Sequence, residues 1–249
     1  MATSACGFRG FRSGAAAAVT ADNRSTLLSI AENAEVTGIG WRSLSRFYSL
    51  PDNLGGLRVL DLCSGMSDFA FSLRQRGALA YALDVLYGDL AAFRLRHRRS
   101  FGAITRDVFN VEPESEQAAE IYRSYVQGFE SGLRRRPCFY VAGSATQLPF
   151  EADSFDMVTS CNGVFGALDF APDLLLQALT EAVRVVKPGG SVQIVPYQSG
   201  LILGDAERDN QRTAIEALSR LPGIQLSSSI KQEAEPVGTI GKLTIRKID

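Results

Sequence analysis

Arg58-Val59-Leu60-Asp61-Leu62-Cys63-Ser64-Gly65-Met66-Ser67-Asp68 is the stretch on which the fold turns. Its first half is an apolar run with one embedded acid and reads as a buried strand. Its second half is a turn of small residues. Ser67 and Asp68 are good helix N-cap types, Phe69-Ala70-Phe71-Ser72-Leu73 continues as a helix, and Gly77 ends it. A strand, a tight turn and a helix in this order open a βαβ unit. Small residues let the backbone approach a ligand there, and the helix start offers free N–H groups.

The same alternation continues outward. Ala80–Asp84 reads as a second strand, Phe139–Ala142 as a third and Phe155–Ser160 as a fourth. Leu175, Leu176, Leu179, Val183 and Val186 recur at helical spacing, and Lys187-Pro188-Gly189-Gly190 is read as the stop before a fifth strand, Val192–Val195. Residues 205–220 look helical. Two closing strands, near 226–235 and 239–248, have only a short glycine-containing link and predict an antiparallel edge hairpin. Strands alternating with helices imply a doubly wound α/β fold, a mostly parallel sheet covered on both faces.

Two segments break the alternation. Residues 25–50 predict a helical cover with Trp41, Leu44, Phe47 and Tyr48 on its apolar side. Residues 105–137 form an insertion between the second and third strands. Ile121, Tyr125, Val126, Phe129 and Leu133 mark an amphipathic helix within it. Residues 22–249 are read as one domain. Residues 1–21 contain no Asp or Glu and read either as a frayed tail or as a targeting segment.

Composition narrows the function classes. The chain has 249 residues, 45% hydrophobic and 21% charged, which excludes a disordered chain. A chain of this length buries about seven-tenths of its surface. No apolar run approaches the roughly 20 residues of a membrane span. A net charge of −1 gives the molecule no overall attraction to polyanions. Cys6, Cys63, Cys138 and Cys161 are scattered, with neither metal-ligand spacing nor a disulfide pattern, so no metal is expected.

Asp84 closes the second strand, 23 residues after Asp61. Ligands of open α/β sheets bind at the carboxyl ends of strands where the strand order reverses, and an acid there can accept both hydroxyls of a ribose. With these residues in place, Val59–Gly65 resembles the first motif of class I S-adenosylmethionine-dependent methyltransferases (the methyltransferase-11-like group). Asp84 sits where that family has its ribose-binding acid. Gly143-Ser144-Ala145-Thr146-Gln147-Leu148-Pro149-Phe150 with Ser154-Phe155-Asp156-Met157-Val158 resembles the third- and fourth-strand motifs. Glu181–Gly190 resembles the helix-to-fifth-strand signature. The resemblance covers about residues 57–200 and implies a Rossmann-like seven-stranded sheet. It departs from the family at Cys63 and Ser67, which replace glycines of the first motif, and at Ser144, which replaces an acid.

The resemblance implies S-adenosyl-L-methionine as cofactor and the following roles. Asp61, Leu62, Cys63, Ser64, Gly65 and Ser67 would hold the methionine end, with Asp61 near its ammonium. Asp84 would bind the ribose, with Val85 beside the adenine. Ser144 and Ala145 would contact the adenine edge. Cys161 would face the sulfonium. Asn162 and Tyr197, just past strand ends, are candidates for positioning the acceptor. Asp156 and the Lys187–Gly190 turn are read as structural. His97, the chain's only histidine, lies in the basic run Arg94–Arg99 and is read as part of a solvated face. Asp84→Ala is expected to weaken cofactor binding with little loss of fold stability.

The implied activity is methyl transfer to a small-molecule acceptor. Rivals are a nucleic-acid methyltransferase, suggested by Arg94–Arg99 and Arg134–Arg136, and a protein that keeps the fold and binds the cofactor without methyl transfer. A nicotinamide oxidoreductase is disfavoured because G-x-G-x-x-G is not met after Asp61. No nucleic-acid partner and no membrane span are expected. The cytoplasm is the expected compartment, with an organelle as the alternative if residues 1–21 are a transit peptide.

Overall fold

The computed structural model describes residues 41–88, 112, 114–135, 139–168, 171–197, 205–232 and 239–248. The expectations for residues 1–21, for the first part of the cover, for His97 and its basic run, and for the start and end of the insertion lie outside them.

In chain order the elements are α1 (Trp41–Phe47), β1 (Arg58–Leu62), α2 (Phe69–Gln75), β2 (Leu79–Asp84), a 3-10 turn (Val85–Gly88), α3 (Glu116–Arg135), β3 (Tyr140–Ala142) and β4 (Phe155–Cys161). There follow α4 (Gly163–Leu168), α5 (Pro172–Val185), β5 (Val186–Val195), α6 (Asp205–Ser219), β6 (Ile224–Gln232) and β7 (Thr239–Lys247). The strands form one sheet in the order β3-β2-β1-β4-β5-β7-β6. Pairs from β3 through β5 are parallel, while β7 runs antiparallel to β5 and β6. This is the doubly wound Rossmann-like sheet with an antiparallel edge hairpin that the sequence implied.

The faces follow from the alternation along the central strands. Leu60, Leu62, Phe155 and Val158 pack with Leu175, Leu179, Val183 and Leu218 of α5 and α6. On the other face Val59, Ala80, Ala82 and Met157 pack with Leu44 and Tyr48 at the amino-terminal cover and with Phe69 and Leu73 of α2. The apolar side expected for the cover is therefore in place. A third cluster joins α3 to the 3-10 turn: Met66, Leu86 and Phe129 pack with Tyr87, Val126, Leu133 and Tyr140. The insertion helix thus reaches the residues after β2 and the first turn itself.

Long-range hydrogen bonds fix the cover. The Trp41 N–H donates to Asp68 Oδ1 at 2.7 Å. The Ser49 N–H donates to Gln193 Oε1 of β5 at 2.8 Å, and Lys242 Nζ of β7 donates to Ser49 Oγ at 2.7 Å. Asp156 is structural, as read: it accepts from the Arg58 N–H and from Lys187 Nζ, each at 2.7 Å. The Lys187–Gly190 stretch departs from expectation. It does not precede β5 but lies within it, because Val186 already pairs with Phe155 and pairing resumes at Ser191 with Met157. The extra residues bulge out of the ladder between those pairs, with Gly189 at φ +77°.

Candidate functional site

The strand order reverses beside β1, where the chain returns from β3 to lay β4 on the opposite side. A crevice at the carboxyl ends of β1 and β4 is what such a reversal creates. The turn after β1, the end of β2 and the residues after β4 meet there.

The turn is built around two buried acids. Asp61 accepts hydrogen bonds from Ser64 Oγ at 2.6 Å and from Thr159 Oγ1 at 2.9 Å. Asp84 accepts from the Gly65 N–H at 3.1 Å and the Leu86 N–H at 2.9 Å. Gly65 is held at its other end too, its carbonyl accepting from Tyr87 Oη at 2.7 Å. Burial raises the carboxyl of Asp61 to about 6, with a smaller push from the charge of Asp84, against the pull of the Ser64 and Thr159 hydroxyls. Burial likewise raises Asp84, against the two N–H groups it accepts. Two partly frustrated acids at adjacent strand tips favour a cationic ligand.

Cys63 stands at φ +51°, in the left-handed region, followed by Gly65 at φ +53°. A side chain at the first of these positions needs space, and Gly163 supplies it: a Cβ on Gly163 would fall 2.1 Å from the Cβ of Cys63. Burial raises the thiols of both Cys63 and Cys161, with Asp61 adding to each, so both are neutral near pH 7. Ser67 Oγ accepts from the Phe69 N–H at 3.1 Å and caps α2. The Asp68 carboxylate, although Asp68 occupies the N-cap position, makes no cap bond. Leu62 is core, so only its backbone faces the turn.

The other predicted residues divide. The Gly143 N–H donates to the Asp84 carbonyl at 3.2 Å, which sets the loop after β3 beside Asp84. Within that loop the Ser144 hydroxyl accepts from the Thr146 N–H at 3.1 Å and lies 2.7 Å from Thr146 Oγ1. It is thus engaged in its own turn. Ala145 is buried next to it, and Val85 is half-buried. Glu181 and Arg184 of α5 grip this loop through the Leu148 N–H and carbonyl. Asn162 is a turn residue at φ +56° whose N–H donates to the Val195 carbonyl at 2.7 Å. Tyr197 is held against β7, its N–H donating to the Gly241 carbonyl at 2.7 Å, and its ring lies 5.7 Å from that of Phe165.

Three participants escaped the sequence reading: Thr159, Tyr87 and Gly163. Thr159 had a signal, since a polar residue inside the apolar strand Met157–Ser160 must find a partner. Tyr87 and Gly163 had none, because their roles exist only across strands.

The residues present fit a sulfonium nucleoside. Asp84 is an acceptor-only group whose two oxygens keep lone pairs beyond the two N–H bonds, as a ribose diol requires. It remains 8% exposed, at the crevice. Among the described residues no cluster of His, Cys, Asp and Glu fits a metal ion.

Comparison with known proteins agrees. The methyltransferase domain family matches residues 102–194, a span that begins after Asp84. The chain is 29% identical over 216 residues to the mouse protein named 2-methoxy-6-polyprenyl-1,4-benzoquinol methylase, mitochondrial, a match covering 73% of this chain and 61% of that protein. It is 28% identical over 180 residues to 2-phytyl-1,4-beta-naphthoquinone methyltransferase, chloroplastic, of Arabidopsis thaliana, covering 71% of this chain and 52% of the relative. It is 29% identical over 144 residues to demethylmenaquinone methyltransferase of Mycobacterium marinum, covering 58% and 43%. The chain thus spans about two-fifths to three-fifths of the length of these relatives. Haemonchus contortus phosphoethanolamine N-methyltransferase 2, solved with S-adenosyl-L-methionine, aligns at TM-score 0.49 and 14% identity, covering 92% of this chain and 58% of that one. With motifs, sheet order and family match in agreement, the chain's resemblance to the class I S-adenosylmethionine-dependent methyltransferases holds.

Proposed function

We propose that this chain is a single methyltransferase domain that moves a methyl group from S-adenosyl-L-methionine to a small aromatic acceptor of the quinol class. The observation that carries the reading is the pair of buried acids at adjacent strand tips. Asp84 grips the Gly65 N–H, and Asp61 lies at the other end of the same turn. The acceptor class is supported by the quinol and quinone in the names of the relatives.

The cofactor supplies an activated methyl on a positively charged sulfur. The chain's own residues hold and align. Asp84 would take the ribose hydroxyls on its free lone pairs. Asp61, kept in place by Ser64 and Thr159, would set the negative potential at the amino-acid end. Val85 and the loop of Ser144 and Ala145 would bound the adenine, and α3 would wall the same side through Phe129 and Tyr87. Fixing two reactants in line contributes several kcal/mol to the barrier reduction, about 7–11 kcal/mol in the best intramolecular cases. Asn162 and Tyr197 border the acceptor side. The neutral thiol of Cys161 suits a wall beside the sulfur rather than a nucleophile.

Titration calorimetry with S-adenosylhomocysteine tests the cofactor, with NADH as the control. Heat with the first and none with the second is expected, and the reverse refutes the reading. Transfer of labelled methyl to a soluble hydroquinone, set against transfer to RNA, tests the acceptor class. The relatives named mitochondrial and chloroplastic, with the acid-free residues 1–21, favour the organellar alternative. A fusion of residues 1–21 to a fluorescent protein that stays in the cytosol would refute it.

A further inference from the structure

Tyr48 is a buried phenol, 3% exposed, whose hydroxyl has no hydrogen-bond partner among the described residues. Leaving such a group unbonded in the interior costs about 1–3 kcal/mol, so a ligand that accepts from it gains that much on binding. Its place is well defined. The Tyr48 ring lies 5.2 Å from that of Phe69, the first residue of α2 after the candidate turn. The Tyr48 N–H donates to the Leu44 carbonyl, and the next residue is clasped by Gln193 and Lys242. Tyr48 packs in the same cluster as Cys161 at the end of β4. Its hydroxyl also feels the charge of Asp61 from β1. The phenol is therefore pinned over the tips of β1 and β4 by contacts that use its backbone and ring and leave its oxygen unbonded.

Asp61 is not its partner in this structure: no hydrogen bond reaches the Tyr48 hydroxyl, and the Asp61 carboxylate accepts from Ser64 and Thr159. From the orphaned hydroxyl and its position we infer that Tyr48 binds the amino-acid end of the sulfonium nucleoside, donating its O–H to the ligand carboxylate. This rests on the cofactor reading proposed above. The chemistry is apt: a protonated phenol is a donor from which a ligand carboxylate can accept, while the ligand ammonium faces Asp61. Burial keeps the phenol protonated, with Cys161 and Asp61, when ionised, acting in the same direction.

The test is Tyr48→Phe in the full chain, which deletes one oxygen and keeps the ring. Calorimetry with S-adenosylhomocysteine is compared with 5′-methylthioadenosine, which lacks the amino-acid end, and thermal unfolding is followed without ligand. The inference expects about tenfold weaker binding of S-adenosylhomocysteine, which is about 1.4 kcal/mol. It expects unchanged binding of methylthioadenosine and a melting temperature equal to the parent's or a few degrees higher. Equal affinity of parent and variant for S-adenosylhomocysteine overturns it while leaving the cofactor reading intact. So does equal weakening of both nucleosides, or a lower melting temperature, because either means the hydroxyl serves the fold. A parent that binds neither nucleoside overturns the cofactor reading, and this inference with it.

Discussion

Gly163→Ala is a small change with a large expected effect. The added Cβ would lie 2.1 Å from Cys63 Cβ, 2.9 Å from the Cys63 carbonyl oxygen and 3.2 Å from Cys63 Cα. Non-bonded carbons are comfortable at about 3.5–4.0 Å, so the two turns must separate by about 1.5 Å. Forced overpacking of this kind costs about 1–3 kcal/mol. Alanine returns up to about 1 kcal/mol relative to glycine in a helix. The net expectation is a loss of about 1–2 kcal/mol, read as a melting temperature about 2–8 °C lower. The cause is assigned by a second substitution. Cys63→Gly removes the nearest atom and relieves a left-handed backbone that costs a non-glycine residue about 1–2 kcal/mol. The double variant should therefore regain most of the loss, with a coupling energy of about 1–3 kcal/mol in urea unfolding. A Gly163→Ala protein within about 0.5 kcal/mol of the parent, or a double variant whose losses merely add, refutes the account of how this turn tolerates Cys63.

Three further outcomes are expected. Asp61 is raised to about 6 in the folded chain and titrates near ~3.9 when unfolded. The unfolded state therefore loses its proton first as pH rises. The stabilisation is full below about pH 4 and is lost by about pH 6, at most about 3 kcal/mol. The advantage of Asp61→Asn over the parent should grow across that window and then level off in urea unfolding, and a difference flat with pH refutes it. Asp84→Ala should weaken S-adenosylhomocysteine tenfold or more in calorimetry. It should also lower stability by about 2 kcal/mol, because the buried N–H groups of Gly65 and Leu86 lose their acceptor; parent-like melting contradicts the geometry. Gly132→Ala places a Cβ 2.5 Å from Tyr140 Oη but 3.5 Å from Cζ. It should destabilise the parent, yet stabilise a Tyr140→Phe background by about 0.5–1 kcal/mol, and the same sign in both refutes the contact.

What the sequence disclosed was local or repeated. The apolar runs of β1, β2 and β4, the helical spacing of α5 and the hairpin are properties of neighbouring residues. The strand order came from the resemblance. Asp84 was legible as a ligand acid but not as a structural acceptor, so the expectation that Asp84→Ala would leave stability intact gives way to its bonds with Gly65 and Leu86. Ser144 was assigned to the adenine by position, and its bond to the Thr146 N–H depends on a backbone turn that residue types alone do not specify. Asp68 has the chemistry of a cap, but its carboxylate is drawn to the Trp41 N–H, 27 residues away. Pairings across that distance leave no periodic trace.

The clasp on Ser49 has a consequence for the order of assembly. It fastens the amino-terminal cover to Gln193 and Lys242, separated from it by 144 and 193 residues along the chain. Contacts so remote in sequence carry the largest loop-closure entropy and form after the local ones. During synthesis β7 emerges after every other described element, and until it does Lys242 cannot lock Ser49, so the segment that carries Tyr48 is held by Gln193 alone. A growing polypeptide would thus gain its ligand-gripping geometry only on completion of the hairpin, making the final strand a latch on an entrance built nearly two hundred residues earlier.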